Sequence, residues 1–179
     1  MDNGLIPRRY AKALYKYALE KGETKEIYEL SKRVVDAFRL NPELQKVLSN
    51  PFVSNDDKEK LLLASAGEKT NDVFSKFVEL ILSQKRVDYA YQMMLAYRDI
   101  YRQANKISQA KITTASPLDN VRMSKLKELV ASAFKNSTIE FTEAVDPTLI
   151  GGFVIDVDSV RMDASLSNEL EQLRQTLLS

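Results

Sequence analysis

The stretch Val145-Asp146-Pro147-Thr148-Leu149-Ile150-Gly151-Gly152-Phe153-Val154-Ile155 combines a turn signal, a glycine pair and the clearest apolar strand run of the chain. Asp146-Pro147 favours a turn, and Gly151-Gly152 allows the backbone to bend or to be approached closely. Apolar side chains then alternate as on a half-buried strand, at Phe153, Ile155 and Val157. The stretch therefore predicts strand structure next to a glycine bulge. A phosphate cradle is disfavoured, because neither a dinucleotide-binding glycine pattern nor a phosphate-loop lysine follows.

The segments on either side of this stretch predict a small α+β unit. Upstream, alternation over Ala110–Thr114 predicts a strand, a segment capped by Asp119 or Asn120 predicts a helix, and Thr138–Ala144 predicts a second strand. Downstream, a short strand carries Val160 and Met162. A final helix follows, with leucines at helical spacing: Leu166, Leu170, Leu173 and Leu177. The predicted order is strand, helix, three strands and helix, and the change of period near Lys106 places this domain at residues 106–179.

Residues 1–105 show helical periodicity throughout, interrupted by residues that end or cap helices. Gly22 and Gly67 are placed to end helices, while Ser54 with Asp57 forms a capping-box pattern. The predicted helices are about Leu5–Lys21, Thr24–Leu40, a short one between Asn41-Pro42 and Asn50-Pro51, Ser54–Ala64, Asp72–Gln84 and Val87–Asn105. The chain is therefore predicted to be mainly α, with an amino-terminal six-helix bundle followed by the small carboxy-terminal α+β domain.

The first and fifth predicted helices carry apolar arcs of roughly 200°, about twice the stripe that one core contact requires. In the first helix the arc comprises Ile6, Tyr10, Ala11, Ala13, Leu14, Tyr15, Tyr17 and Ala18. In the fifth it comprises Val73, Phe74, Phe77, Val78, Leu80, Ile81 and Leu82. Either the fifth helix is central to the bundle, or the two helices share a surface groove. The groove is the more attractive interpretation, because so small a domain has little room for two enclosed helices.

Composition argues against an enzyme. The chain is 44% hydrophobic and 28% charged, as expected of a soluble globular protein, and its net charge of +1 gives no general attraction to nucleic acid or acidic membranes. It contains no cysteine and no histidine, which removes the thiol nucleophile, the commonest general base and the commonest metal ligand. No cofactor or metal site is predicted. With neither a membrane-spanning run nor a secretion-signal layout at Met1–Gly4, the chain is expected in the cytoplasm.

Two rival functions remain at this level. A nucleic-acid-binding helical module would use Arg86, Arg98 and Arg102 with the interleaved tyrosines, although a solvated helix face explains these arginines better. A carboxylate-based hydrolase would use Asp156, Asp158 and Asp163 around a divalent cation. Their spacing lacks the glycine and terminal glutamate of a calcium loop, so a solvated hairpin tip is the better interpretation. Neither rival accounts for the paired wide arcs.

The whole chain resembles the delta subunit family of the bacterial rotary proton-translocating ATP synthase, the counterpart of the mitochondrial oligomycin-sensitivity-conferring protein. No single segment is diagnostic, but their order and spacing are specific. The residues that carry the resemblance are Arg9-Tyr10-Ala11-Lys12-Ala13-Leu14, Asn41-Pro42, Asn50-Pro51, Ala110 to Ala115 with Pro117-Leu118, Val145 to Phe153, and Asp163 with Ser165.

This resemblance implies a non-catalytic subunit of the peripheral stalk, which resists rotor torque at the cytoplasmic face of the bacterial membrane. It implies that the bundle holds the amino-terminal helix of an alpha subunit in a groove between its first and fifth helices. It also implies that the second domain meets the membrane-anchored b subunits, so that the chain is peripheral and binds no nucleic acid. Carried onto this sequence, the groove residues are Tyr10, Ala11, Leu14, Phe74, Phe77, Leu80 and Ile81.

Overall fold

A computed structural model describes residues 4–67, 71–134 and 138–178 of the chain; the side chains of 177 and 178, including the predicted Leu177 position, lie outside this description. Its residues fall into two compact units, Met1–Ala104 and Asn105–Ser179. Within the described ranges, no helix is long and apolar enough to cross a membrane. The fold class predicted from the sequence, helical first and then a small mixed α and β unit, is confirmed.

The first unit consists of α-helices that follow one another through short turns. They are α1 (Leu5–Lys21), α2 (Thr24–Leu40), α3 (Glu43–Ser49), α4 (Asn55–Ala66), α5 (Asp72–Ser83) and α6 (Ala90–Asn105). The sixth helix was predicted to begin at Val87, but a 3-10 turn occupies Val87–Tyr89 before α6 starts. Lys85 and Arg86 lie outside any helix, and Lys85 has a positive φ of 52°. These two residues therefore separate α5 from the 3-10 turn that precedes α6.

Local side chains set several of these helix ends. Gly22 follows α1 with a φ of 74°, the left-handed conformation that glycine adopts most easily. Ser54 caps α4 by accepting a hydrogen bond from the amide of Asp57 at 3.2 Å, as the capping-box pattern predicts. Asn71 lies just before the predicted start of the fifth helix. It caps α5 by accepting a hydrogen bond from the backbone amide of Phe74 at 2.9 Å. These contacts fix where α1 ends and where α4 and α5 begin.

The core of the first unit contains a buried tyrosine pair on α2 and α6. The rings of Tyr28 and Tyr101 stack with centroids 4.2 Å apart, and the Tyr28 hydroxyl accepts a hydrogen bond from Nε of Arg102 at 2.8 Å. The Lys32 ammonium lies 4.3 Å from the centre of the Tyr28 ring. Cations over the face of a buried aromatic ring are stabilising, so this cluster ties α2 to α6.

Tyr97 of α6 gives an alkaline stability prediction. Its side chain is fully buried and its hydroxyl donates to the carbonyl of Thr24 at 3.0 Å, and burial raises the pKa of Tyr97 above its ordinary value. A raised pKa means that the neutral form stabilises the fold fully below about pH 10, and that this contribution is lost as the pH rises further. We expect absorbance titration near 295 nm to show a late step in which Tyr97 ionises together with unfolding. In Tyr97→Phe that late step should be smaller by one tyrosine.

The second unit is built on a four-stranded sheet with the order β2-β1-β3-β4. Its strands are β1 (Ile107–Thr114), β2 (Thr138–Val145), β3 (Gly152–Val157) and β4 (Val160–Ser165), and its helices are α7 (Asn120–Ala133) and α8 (Leu166–Leu178). The predicted order of elements is confirmed. β1 and β2 are parallel and are connected through α7, whereas the other pairs are antiparallel.

One face of this sheet and one side of α7 form the core of the second unit. Asp119 caps α7, accepting from the amide of Arg122 at 2.8 Å, which agrees with one of the two predicted caps. The buried residues that meet here alternate on β1 and β3 and recur on α7: Ala110, Ile112, Ile155, Val157, Met123 and Val130. Along β1 the burial follows the alternation that the sequence predicted, whereas on β3 Val154 of the opposite face is buried as well as Ile155 and Val157.

The segment 145–155 is a turn followed by a strand, as Asp146-Pro147 and the glycine pair predict. Val145 ends β2, Pro147–Leu149 forms a 3-10 turn capped by Asp146, and β3 begins only at Gly152. Between them Ile150 has φ 65° and ψ −42°, and the Gly151 amide donates to the Leu149 carbonyl at 2.7 Å. This is a γ-turn with positive φ, a rare and strained conformation for a β-branched residue. The bend predicted at the glycines therefore starts one residue earlier.

Candidate functional site: the surface between α1 and α5

Helices α1 and α5 pack against each other, and two contacts between their ends and middles show that they run antiparallel. Near one end, Nδ2 of Asn71 donates to Glu23 just after α1, at 3.1 Å. Farther along, the Lys76 ammonium lies close enough to the Tyr17 phenol to interact with it. Because the position on α1 moves backward as the position on α5 moves forward, Leu80, one turn beyond Lys76, lies at about the level of Ala13.

The structure divides the two wide arcs into a buried and a surface part. Five of the seven predicted groove residues are buried in the bundle, at 5% exposure or less: Ala11, Leu14, Phe74, Phe77 and Ile81. The other two reach the surface, because Tyr10 is half-buried and Leu80 is 44% exposed. The buried five can shape a groove only as its floor, and direct contact from the surface falls to Tyr10 and Leu80.

The surface part of α1 forms a single stripe. Ile6, Tyr10 and Tyr17 are half-buried and Ala13 is exposed. These positions are three or four residues apart, so they line up along one side of the helix. Tyr17 lies beside Lys76 of α5, which places this side of α1 next to the surface of α5. We call this surface, formed by Ile6, Tyr10, Ala13 and Tyr17 with Lys76 and Leu80, the α1/α5 surface.

One end of the α1/α5 surface is polar. Nζ of Lys76 donates to the Asp72 carboxylate at 2.6 Å, and this hydrogen bond is the largest cause of the raised pKa of Lys76, to which Tyr17 adds. Both side chains of the ion pair remain more than half exposed. The opposite end, toward Ile6 and Leu80, is apolar. Lys76 was not predicted to belong to this surface, because only the packing of α5 against α1 shows that it lies beside Tyr17.

The arginines of the nucleic-acid interpretation do not form one exposed row. Arg86 is exposed, Arg98 is half-buried, and Arg102 is only 9% exposed, with its guanidinium against Tyr28. The expectation of a solvated helix face was therefore wrong for Arg102. A phosphate-binding surface needs accessible cations, and α6 does not present this set together.

The aspartates of the hydrolase interpretation are already paired. Asp156 and Asp163 flank Arg161 at 3.8 and 3.6 Å, and Asp158 accepts a hydrogen bond from the backbone N–H of Gln109 at 3.1 Å. Only Asp158 lies at the hairpin tip, so the expectation of a solvated tip was wrong for the other two. The hydroxyl and amide of Ser165 lower the pKa of Asp163, and Arg161 adds to this. Among the residues in 4–67, 71–134 and 138–178, no group of three potential ligands is placed to hold a metal ion.

Comparison with known proteins gives one consistent result. The profile of the family described as ATP synthase delta (OSCP) subunit matches residues 6–177. A protein of Parabacteroides distasonis named ATP synthase subunit delta is 37% identical over 99% of this chain and 98% of its own length. The protein of the same name from Phocaeicola vulgatus is 36% identical over 98% of this chain and 95% of its own length. These matches span both units.

A solved structure supports the fold independently of sequence. A chain of the mitochondrial ATP synthase hexamer of Toxoplasma gondii superposes with a TM-score of 0.72 and covers 97% of both chains. Its sequence identity is 18%, so this likeness bears on the fold alone.

Proposed function

This chain belongs to the ATP synthase delta (OSCP) subunit family, and from that membership we propose that it is a peripheral-stalk subunit that holds the catalytic head against rotor torque. As a member of the family it is a non-catalytic subunit of ATP synthase, and its partners are other subunits of that complex. The finer assignment of partners is part of the proposal: the amino-terminal helix of an alpha subunit on the α1/α5 surface, and b subunits on the second unit.

The observation that carries the alpha-subunit assignment is the apolar stripe left at the surface of α1. Leu80 is 44% exposed beside it, and Tyr10 keeps an aromatic ring partly accessible. An amphipathic helix laid along this surface would bury these side chains in helix-in-groove fashion. Aromatic residues that are desolvated at the centre of such contacts supply most of the binding energy. Tyr10 and Leu80 are therefore the proposed anchors, with Ala11, Leu14, Phe74, Phe77 and Ile81 beneath them.

The test measures the affinity of the full chain for a synthetic peptide of the alpha-subunit amino terminus, by calorimetry. We expect Tyr10→Ala and Leu80→Ala each to weaken binding about 30-fold or more, as for hot-spot residues. The matched control is Leu19→Ala, because Leu19 is 60% exposed on α1 but lies about 180° round the helix from Tyr10 at 100° per residue. If Tyr10→Ala and Leu80→Ala both leave the affinity unchanged, the groove assignment fails.

The buried groove residues need a different readout. Leu14 is 2% exposed, so Leu14→Ala is expected to cost the bundle about 2–5 kcal/mol of unfolding free energy. A loss of peptide binding in Leu14→Ala could come from unfolding or from a lost contact with the peptide. The test therefore uses the exposed residues Tyr10 and Leu80.

For the second unit we propose contact with the b subunits at the cytoplasmic face of the membrane. Membrane association would then come only through the complex. Purification from the native membrane tests this placement: co-elution with the head and stalk subunits is expected, and recovery as a free chain bound to nucleic acid would overturn it.

A further inference from the structure

The outer side of α1, next to the α1/α5 surface, carries a row of cations. Arg9, Lys12 and Lys16 are all exposed and follow one another three and four residues apart, so they lie along one side of the helix. At 100° per residue, Arg9 lies about 40° and Lys16 about 60° round α1 from Ala13, which belongs to the α1/α5 surface. Arg9 and Lys16 therefore form a basic border along the α1 side of that surface.

No ion pair compensates these cations in the part of the chain that the structure describes. Arg9, Lys12 and Lys16 are absent from all the ion pairs formed there. Like charges one turn apart on a helix repel each other, and α1 has no acidic residue in its first turn that would offset this. The row thus destabilises α1 slightly in the free chain. A partner that brings negative charge would relieve the repulsion.

The border on the α5 side has the opposite sign. At 100° per residue the order round α5 is Leu80, Lys76, Asp72 and Glu79, with Glu79 about 100° from Leu80. Lys76 and Asp72 neutralise each other as an ion pair at 2.6 Å. Glu79 is exposed and forms no ion pair with any residue that the structure describes. The α1/α5 surface is therefore apolar along its middle, basic along α1 and acidic along α5.

This difference between the borders favours a helix over a polyanion as the occupant. A nucleic acid or an anionic membrane would present negative charge to both borders, so that Glu79 would face like charge. A phosphate backbone would also leave the apolar side chains of Ile6 and Leu80 without a partner. An amphipathic helix instead offers an apolar stripe with two flanks whose charges can differ.

We propose that Arg9 and Lys16 receive an acidic flank of the helix that binds the α1/α5 surface, while Glu79 faces its other, non-acidic flank. Reversing the helix end for end on the surface would exchange its two flanks. The borders therefore select the direction in which the helix lies as well as its charge. This proposal rests on the proposed function, in which the helix is the amino-terminal helix of an alpha subunit.

The test measures the association rate constant of the full chain with a dye-labelled synthetic peptide of the alpha-subunit amino terminus, by stopped flow at two salt concentrations. Exposed charges at the rim of an interface act mainly on association. We expect Arg9→Glu and Lys16→Glu each to lower the association rate constant about threefold or more at low salt, and less at high salt because of screening. The dissociation rate constant should stay nearly unchanged.

The matched control is Arg8→Glu. Arg8 is also exposed on α1, and its substitution changes the net charge equally, but it lies about 140° round the helix from Ala13. This variant should associate nearly as fast as the original chain. Thermal midpoints of Arg9→Glu and Lys16→Glu should be no lower than that of the original chain, because each substitution removes a like-charge contact from α1. Slower association would then not come from unfolding.

A charge exchange tests the contact directly. A peptide whose acidic residues are replaced by lysine should associate more slowly with the original chain, and faster with Arg9→Glu than with the original chain. If that peptide associates with the original chain as fast as the native peptide does, the border does not recognise an acidic flank and the proposal is overturned.

The remaining outcomes separate this proposal from the proposed function. If the native peptide binds and both border variants associate as fast as Arg8→Glu, the proposal fails although the alpha-subunit assignment stands. If the native peptide does not bind the original chain at all, the alpha-subunit assignment fails together with the border. If a DNA oligonucleotide or phosphatidylglycerol vesicles displace the peptide from the original chain but not from Arg9→Glu, the row of cations binds a polyanion and the proposal is overturned.

Discussion

Gly152→Ala should unfold much of the second unit while leaving the first unit folded. Gly152 has a φ of 74°, and a Cβ built on it would run into the carbonyl oxygen of Ala164 on the neighbouring strand. The obstacle is backbone in a paired strand, so it cannot turn away as a side chain can. Left-handed backbone costs a non-glycine residue about 1–2 kcal/mol, and the forced shift of β4 adds to this. We expect a total loss of about 3 kcal/mol or more.

Hydrogen exchange followed by mass spectrometry measures this effect unit by unit in the full chain. Peptides from β1, β3 and β4 should lose protection in Gly152→Ala, whereas peptides from α2 and α6 should keep it. The adjacent Gly151→Ala is the matched control. Its Cβ would meet the side chain of Leu166, which is 47% exposed and free to move outward. Equal loss of protection in the two variants would contradict the close approach inferred at Gly152.

Tyr28→Ala is expected to be the most damaging single change in the first unit. It removes a fully packed ring that stacks on Tyr101 and lies under the Lys32 ammonium. Large-to-small changes at buried aromatic positions cost about 3–5 kcal/mol. For a unit of this size, such a loss corresponds to a fall of about 15 °C or more in the thermal midpoint.

Tyr28→Phe separates the hydroxyl from the ring. The phenylalanine keeps the stacking but leaves Nε of the buried Arg102 without the hydroxyl that accepts its hydrogen bond. Loss of a hydrogen bond to a buried charged group costs about 1–3 kcal/mol. Denaturant unfolding of the two variants should therefore give two distinct losses. If Tyr28→Phe is as damaging as Tyr28→Ala, the stacking contributes little and the hydroxyl dominates.

Helix ends were predictable because they depend on local chemistry. Gly22, Ser54 with Asp57, and Asp119 act through their own backbone or the next turn, and the structure places all of them at helix ends. The course of the chain at Ile150 was not predictable in this way. Its positive φ is imposed by the hydrogen bonds around it. The backbone amide of Asp146 donates to the carbonyl of Thr114, and the backbone amide of Leu166 donates to the carbonyl of Gly151. The order of the strands likewise depends on contacts between distant segments.

The candidate site stays a prediction, and what the structure adds to it is which side of each helix reaches the surface. The width of the apolar arcs pointed to α1 and α5, but it does not show which side of each helix faces the core and which faces solvent. Ala11 and Tyr10 are neighbours in the sequence, and only the packing of α1 shows that one is buried and the other reaches the surface. Lys76 was missed for the same reason, since a charged residue on an amphipathic helix gives no sign of which neighbour it faces.

The place of β1 in the sheet bears on how the chain can carry mechanical load. β1 begins two residues after α6 ends, and it has β2 on one side and β3 on the other. Tension passing along the backbone from α6 thus enters the sheet on an inner strand. Pulling that strand lengthwise strains two rows of hydrogen bonds at once in shear, whereas an edge strand could be peeled away one bond at a time. The connection between the two units is anchored where the sheet best resists being pulled apart.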